Sequence, residues 1–264
     1  MSSQSQVSVL HKFKGILFST MSSEELLHAL DSFDVREDDV FLVSYPKSGT
    51  HWIAEVIESI PNARISLTSP IELGDVSKLE ELKTYSERRV IPTHLSYDLL
   101  PVNIKQKQCK IIYIIRNPKD TAVSLFHYYR ENPNLPYIET WAAFFELFLQ
   151  GEGEYSDGLV LKFLKLFFFF FFLLFAQDFS KSLKKITTFL GINVNDSEVN
   201  KIAQKTSFSE MKNNSIKENY DLSHTICALT SDRNLVFRKG VVGDWINYFT
   251  SKQKSVFDEL FTRK

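Results

Sequence analysis

Cysteine is nearly absent from this chain of 264 residues, which carries two, Cys109 and Cys227. Two thiols cannot build a disulfide framework and read as free thiols of a reducing, cytoplasmic compartment. Glycine and proline are scarce as well, at nine and eight, which excludes collagen-like and low-complexity architectures. Neither charge sign dominates: 31 basic and 32 acidic side chains leave a net charge of -1. Nothing in that balance attracts nucleic acid or anionic lipid broadly, so any anion site has to be local. A long apolar run is missing too. Leu166 to Ala176 is the longest, well short of the roughly 20 residues that a membrane-spanning helix needs. The first 20 residues lack an apolar stretch with a small-residue cleavage site, so the reading predicts no secretory signal, no membrane anchor and a flexible segment over 1–20.

Phenylalanine, by contrast, is abundant, with 23 residues, six of them consecutive at Phe167–Phe172. At 44% hydrophobic and 24% charged residues the composition is that of a globular chain with a sizeable core. Ser22, Ser23, Glu24 and Glu25 have capping spacing ahead of Leu26, Leu27, Leu30 and Phe33, predicting a helix over 23–33. Val40–Val43 reads as a short buried strand, followed by a turn-rich loop and a helix over 51–59 with Trp52, Ile53, Val56 and Ile57 on one stripe. A short helix is expected near 76–84 and a strand at 89–91. Lys110–Ile115 is a β-branched run of the kind buried on both faces of a parallel sheet. Asn117 and Pro118 then supply a cap and a first helical position. Helices are expected to about 129, over 139–150, over 180–190 and over 196–205, with a buried strand at 168–175. Strands alternating with helices predict one α/β domain over 1–264 with a central parallel sheet flanked by helices.

Three segments carry chemistry. Tyr45-Pro46-Lys47-Ser48-Gly49-Thr50-His51-Trp52 lies between strand and helix, where unpaired first-turn N–H groups and the helix dipole favour a phosphate or sulfate. It is not a nucleoside-triphosphatase loop, because Lys47 precedes Gly49 and G-x-x-x-x-G-K-[ST] is absent. Arg116-Asn117-Pro118-Lys119-Asp120, with Ser124 further along the same helix, stands at the carboxyl end of the second buried strand. Ligands of open α/β sheets bind there, and Arg offers a planar fork to phosphate. The third segment, Phe237-Arg238-Lys239-Gly240 with Gly243-Asp244-Trp245, is a compact basic loop. Together, Lys47, Arg116, Arg238 and Lys239 suit a ligand with two separated phosphates. No His/Cys cluster has metal-ligand spacing, so no metal is expected.

The three segments closely resemble the cytosolic sulfotransferases, whose motifs Y-P-K-S-G-T-x-W, R-N-P-K-D-x-x-V-S and R-K-G-x-x-G-D-W appear here in the same order. Thr206-Ser207-Phe208-Ser209-Glu210-Met211 matches that family's T-S-F-x-x-M segment. The flavour is nearest to the amine-type and least-characterised vertebrate branches. The resemblance implies a P-loop-like nucleotide-binding core and 3′-phosphoadenosine 5′-phosphosulfate as sulfuryl donor. It also implies a phenol, alcohol or amine on a small apolar molecule as acceptor, with His94 as general base and Lys47 stabilising the transition state. Ser48, Gly49, Thr50, His51 and Trp52 would hold the 5′ end and adenine. Arg116, Ser124, Arg238, Lys239 and Gly240 would hold the 3′-phosphate, and Thr206, Ser207, Phe208, Met211 and Phe237 would complete the nucleotide contacts.

The chain departs from the pattern over 158–178, where the usual aromatic helix is missing and Ala176 stands at the position of an adenine-contacting Tyr. One lost stacking partner is worth about 1 to 3 kcal/mol. That departure defines the alternative reading, a non-catalytic homologue that still binds the nucleotide. Pro92 stands where many members have Lys. The family's dimer motif is degraded to Ile246, Thr250, Ser251 and Ser255, which leaves homodimerisation through it open.

Overall fold

The computed structural model describes residues 10–150, 171–173, 179–217 and 237–262. Its centre is a four-stranded, all-parallel sheet. The strands are β3 (Val40–Ser44), β4 (Val90–Thr93), β5 (Lys110–Ile114) and β6 (Phe171–Leu173), in the order β4-β3-β5-β6. Val40 pairs with both Val90 and Lys110, and Ser44 with Ile114, so the carboxyl ends of the three leading strands finish side by side.

Alternation along these strands sorts their side chains onto two cores. Val40, Leu42, Val90, Ile112 and Ile114 face α2 (Thr50–Glu58), α6 (Phe179–Leu190) and α7 (Asp196–Lys205). Phe41, Val43, Ile91 and Tyr113 face the opposite core, with α1 (Glu24–Asp31), α3 (Ser77–Thr84), α4 (Pro118–Glu131) and α5 (Trp141–Gln150). The expected α/β layering is therefore present. Pro92, which lacks an N–H, is tolerated because β4 is the outer strand of the described sheet. Its carbonyl accepts from Ile71 N at 2.8 Å, and Val90 O accepts from Ser66 N at 3.0 Å, so the 66–71 segment covers that edge.

Local chemistry explains the helix starts. Ser23 Oγ accepts from Leu26 N at the head of α1, while Asn117 Oδ1 accepts from Lys119 N with Pro118 at the first position of α4. Asn195 and Glu198 close a reciprocal capping box on α7. Two further helices, α8 (Phe208–Lys217) and α9 (Ser251–Thr262), are described, with short 3-10 turns at Tyr97–Leu99, Val102–Ile104 and Asp244–Asn247.

One sequence expectation is corrected. Where flexibility was expected over 1–20, the described part forms an antiparallel hairpin of β1 (Leu10–Phe13) and β2 (Ile16–Ser19). Lys14 and Gly15 turn it with φ of 47° and 83°, the double positive φ that matches a hairpin's twist. Phe18 is fully buried and anchors it to the core. The strand expected at 168–175 is described over Phe171–Leu173, paired to β5 through Ile112↔Phe171 and Ile114↔Leu173. The rest of the Phe run, the 158–170 departure and Ala176 lie outside the described residues.

Candidate active site

Everything assembles at the carboxyl ends of β4, β3 and β5. After β3, the chain turns tightly enough that Lys47 adopts φ 64° and Gly49 φ 108°. Gly49 is the N-cap of α2 and no side chain caps that helix. An uncapped helix start preceded by a Lys is the physical requirement for holding a tetrahedral oxyanion. Thr50 is buried at the first position of the helix, and its Oγ1 lies 2.5 Å from Ser44 Oγ.

Lys47 points its Nζ over the Tyr128 ring of α4, 4.8 Å from the centroid. Burial pulls its pKa down to about 8, and the nearby Arg116 and Arg238 push the same way, while Glu131 opposes them. Arg116 donates from Nη1 to the Lys47 carbonyl at 2.9 Å, binding the second loop to the first. Ser124 is buried along α4.

The late basic loop docks onto the same helix. Asp120, buried in the first turn of α4, accepts from Gly243 N at 2.8 Å and Trp245 N at 3.1 Å. Asp244 in turn binds Lys239 Nζ at 2.8 Å and Arg238 Nη2 at 2.7 Å. Its burial favours the neutral acid, yet hydrogen bonds from Lys239, Asn247 and Arg238 outweigh that and hold the carboxyl far below its usual range. Gly240 has φ 66°, and a Cβ there would lie 2.4 Å from Phe208 Cδ2, so the position accepts glycine alone without rearrangement.

Trp52 links the helix after the first loop to the 206–211 segment. Its Nε1 donates to the Thr206 carbonyl at 2.8 Å, and its ring packs against buried Met211 and Phe237. Phe208 meets Phe237 edge-on at 5.9 Å and is partly exposed. That cluster is an apolar wall fit for a base. Ser207 lies at the head of α8, with its Oγ 3.4 Å from Ser209 Oγ. Thr206 is buried, and its hydroxyl donates to Ile202 O, so its side chain ends α7 rather than facing the wall.

His94 follows directly after β4. Its Nδ1 lies 2.9 Å from the Ser44 carbonyl and 3.3 Å from Ser44 Oγ. A carbonyl only accepts, so Nδ1 carries the proton and the basic lone pair is on Nε2. Burial lowers the imidazole pKa; Lys47 adds to that, while Glu72 and the Ser44 carbonyl oppose it. Thus Lys47, Arg116 and Arg238, from the three segments, lie close enough to interact, and His94, named from the resemblance, lies within reach of Lys47. Sequence reasoning missed the acids that brace them, Glu72, Asp120 and Asp244. The last two sit inside recognised motifs, but Glu72 lies in a stretch with no periodicity. Among the described residues, no three His, Cys, Asp or Glu side chains gather as a metal site, and no helix is long and apolar enough to cross a membrane.

Comparison with known proteins identifies the family. Residues 37–264 match the sulfotransferase domain model. Sulfotransferase 6B1 of Mus musculus is 33% identical over 263 residues, covering 94% of this chain and 84% of the relative. Sulfotransferase 1C2 of Homo sapiens is 34% identical over 255 residues, covering 89% and 86%. Among solved structures, mouse sulfotransferase SULT7A1 complexed with PAP superimposes with a TM-score of 0.89 at 69% identity, covering 97% of this chain and 95% of that one. The chain belongs to the sulfotransferase family, enzymes that transfer a sulfuryl group from 3′-phosphoadenosine 5′-phosphosulfate.

Proposed function

We propose that the acceptor is a hydroxyl or amine on a small apolar molecule, that His94 is the general base, and that Lys47 stabilises the transition state. The observation that carries this reading is the bond between His94 Nδ1 and the Ser44 carbonyl, which leaves Nε2 as the basic nitrogen. With its pKa lowered by burial, the imidazole is neutral at physiological pH and able to take a proton. In the step, Nε2 takes the acceptor's proton as the acceptor heteroatom bonds to sulfur. The sulfur–oxygen bond to the 5′-phosphate breaks, and its electron pair stays on the phosphate oxygen. Lys47 meets the charge developing there, and the backbone N–H groups at the start of α2 hold the phosphate.

The cations fit the donor's two anionic ends. Lys47 and the start of α2 suit the 5′-phosphosulfate; Arg116, Ser124, Arg238, Lys239 and Gly240 suit the 3′-phosphate. Trp52, Met211 and Phe237 offer the base an apolar wall, with Ser207 and Phe208 at its margin. A cavity of about 220 Å³ beside the 45–50 loop, walled by Tyr45, Leu125, Tyr129, Phe144 and Phe148, suits the acceptor's body.

Labelled donor incubated with a panel of phenols, alcohols and amines tests the reading. Transfer by the wild type that His94→Ala abolishes is the expected result, while transfer that survives the substitution overturns His94 as base. Binding of adenosine 3′,5′-bisphosphate without any transfer identifies the non-catalytic alternative.

A further inference from the structure

We propose that Glu72 is a positioning residue for His94, gripping the backbone that carries the imidazole and setting a fixed negative charge beside it. The proposal rests on the reading of His94 as proton acceptor. Glu72 is fully buried and its two carboxylate oxygens have separate donors. Oε1 accepts from the His94 backbone N–H at 2.8 Å, and Oε2 accepts from Thr93 Oγ1 at 2.8 Å. The Thr93 hydroxyl also accepts from Leu95 N at 3.0 Å, so its own hydrogen goes to the carboxylate. Three consecutive residues, 93 to 95, are thereby tied to one acid.

The segment that bears Glu72 is itself staked down. Ile71 N donates to Pro92 O at 2.8 Å. Lys78, from α3, reaches back with its ammonium to Ser69 Oγ at 2.5 Å, to Pro70 O at 2.9 Å and to Leu73 O. A carboxylate so held cannot follow a moving histidine; it fixes where the histidine is.

Charge adds a second effect. The imidazole becomes imidazolium as it takes the acceptor's proton. The charged groups that act on it are Glu72 and Lys47, with the Ser44 carbonyl at Nδ1. Lys47 opposes the new positive charge and Glu72 favours it. A neutral amide at position 72 could still accept from His94 N but would remove that support.

The test uses the full chain and Glu72→Gln, with three readouts: the His94 imidazole titration followed by NMR, kcat and KM for sulfuryl transfer, and thermal stabilisation by adenosine 3′,5′-bisphosphate. Glu72→Gln is expected to move the His94 midpoint to lower pH and to reduce kcat about tenfold or more. The donor KM and the bisphosphate stabilisation should stay at wild-type values. A wild-type midpoint together with wild-type kcat overturns the proposal and leaves Glu72 a staple of the fold. If the wild type transfers nothing, the catalytic reading fails, and the His94 midpoint still decides whether Glu72 is coupled to the ring. Should Glu72→Gln not fold, Glu72→Asp keeps the charge while drawing it back by one methylene. It is expected to retain the midpoint and lose kcat, and full kcat in that variant overturns the grip on the backbone.

Discussion

Arg116 donates from Nη1 to the backbone carbonyl of Lys47 at 2.9 Å, joining the loops that follow two neighbouring strands. One guanidinium thereby braces the first loop and, in the proposed role, keeps its remaining donors for the 3′-phosphate. Arg116→Ala should lose both. Charge-assisted hydrogen bonds are worth about 1.5 to 3 kcal/mol, so the affinity for adenosine 3′,5′-bisphosphate should fall about 10- to 150-fold by calorimetry. Arg116→Lys should restore little, because an ammonium cannot bridge a carbonyl and a phosphate with one planar fork.

The Lys47 ammonium, held at about 8 by burial and by Arg116 and Arg238, predicts a falling limb in the pH profile. In the proposed role the cation is the useful form, so kcat/KM should decline as pH rises through about 8. As the proposed base, His94 would act in its neutral form, and its pKa is lowered from 6.5 by burial, which puts the rising limb on the acid side of that value. Lys47→Arg should move the alkaline limb beyond the measurable range, read from initial rates between pH 5 and 10 in steps of about half a unit.

Gly240→Ala should be costly in two separable ways. The positive φ alone costs about 1 to 2 kcal/mol, and the new methyl collides with the Phe208 ring. Thermal denaturation should show a lower Tm. Pairing the change with Phe208→Ala should relieve the collision but not the backbone term, so the double variant should recover part of the loss and no more.

Arg89 and Asp39 form a buried ion pair next to the starts of β4 and β3, with Arg89 also donating to Leu82 O and Asp34 O. Arg89→Ala leaves a carboxylate buried and unmatched, which should cost about 3 to 5 kcal/mol in denaturant unfolding. Because the pair sits at the opposite end of the strands from His94, bisphosphate affinity of the folded fraction should stay at the wild-type value.

The readable parts of the chain were those where a local signal and a tertiary need coincide. Val40–Val43 and Lys110–Ile115 are buried on both faces, so their apolar runs speak for themselves, and Asn117-Pro118 announces a helix start by its own stereochemistry. The hairpin over 10–19 was missed because its turn is Lys14-Gly15 rather than Asn-Gly, and Lys at a positive φ is a choice that propensity does not foresee. Helices α8 and α9 were likewise not anticipated. At the site, cations inside recognised loops could be named from spacing, whereas Glu72 could not. Its value comes from lying beside His94, just past the end of β4 and 22 residues away in sequence, a relation that the fold creates.

In the proposed reaction, the order of the strands sets its direction. His94 follows β4, the 45–50 loop follows β3 and Arg116 follows β5, so in the proposed reaction the base, the loop for the transferring group and the fork for the far phosphate hang from three successive strands. Adjacent strands lie roughly 4.8 Å apart, so the sheet acts as a ruler with one division per chemical role. On those proposed roles the acceptor approaches from the β4 side and the 3′-phosphate of the nucleotide lies toward β5. A donor with its phosphates exchanged would present its sulfur two divisions from His94 and find no base within reach.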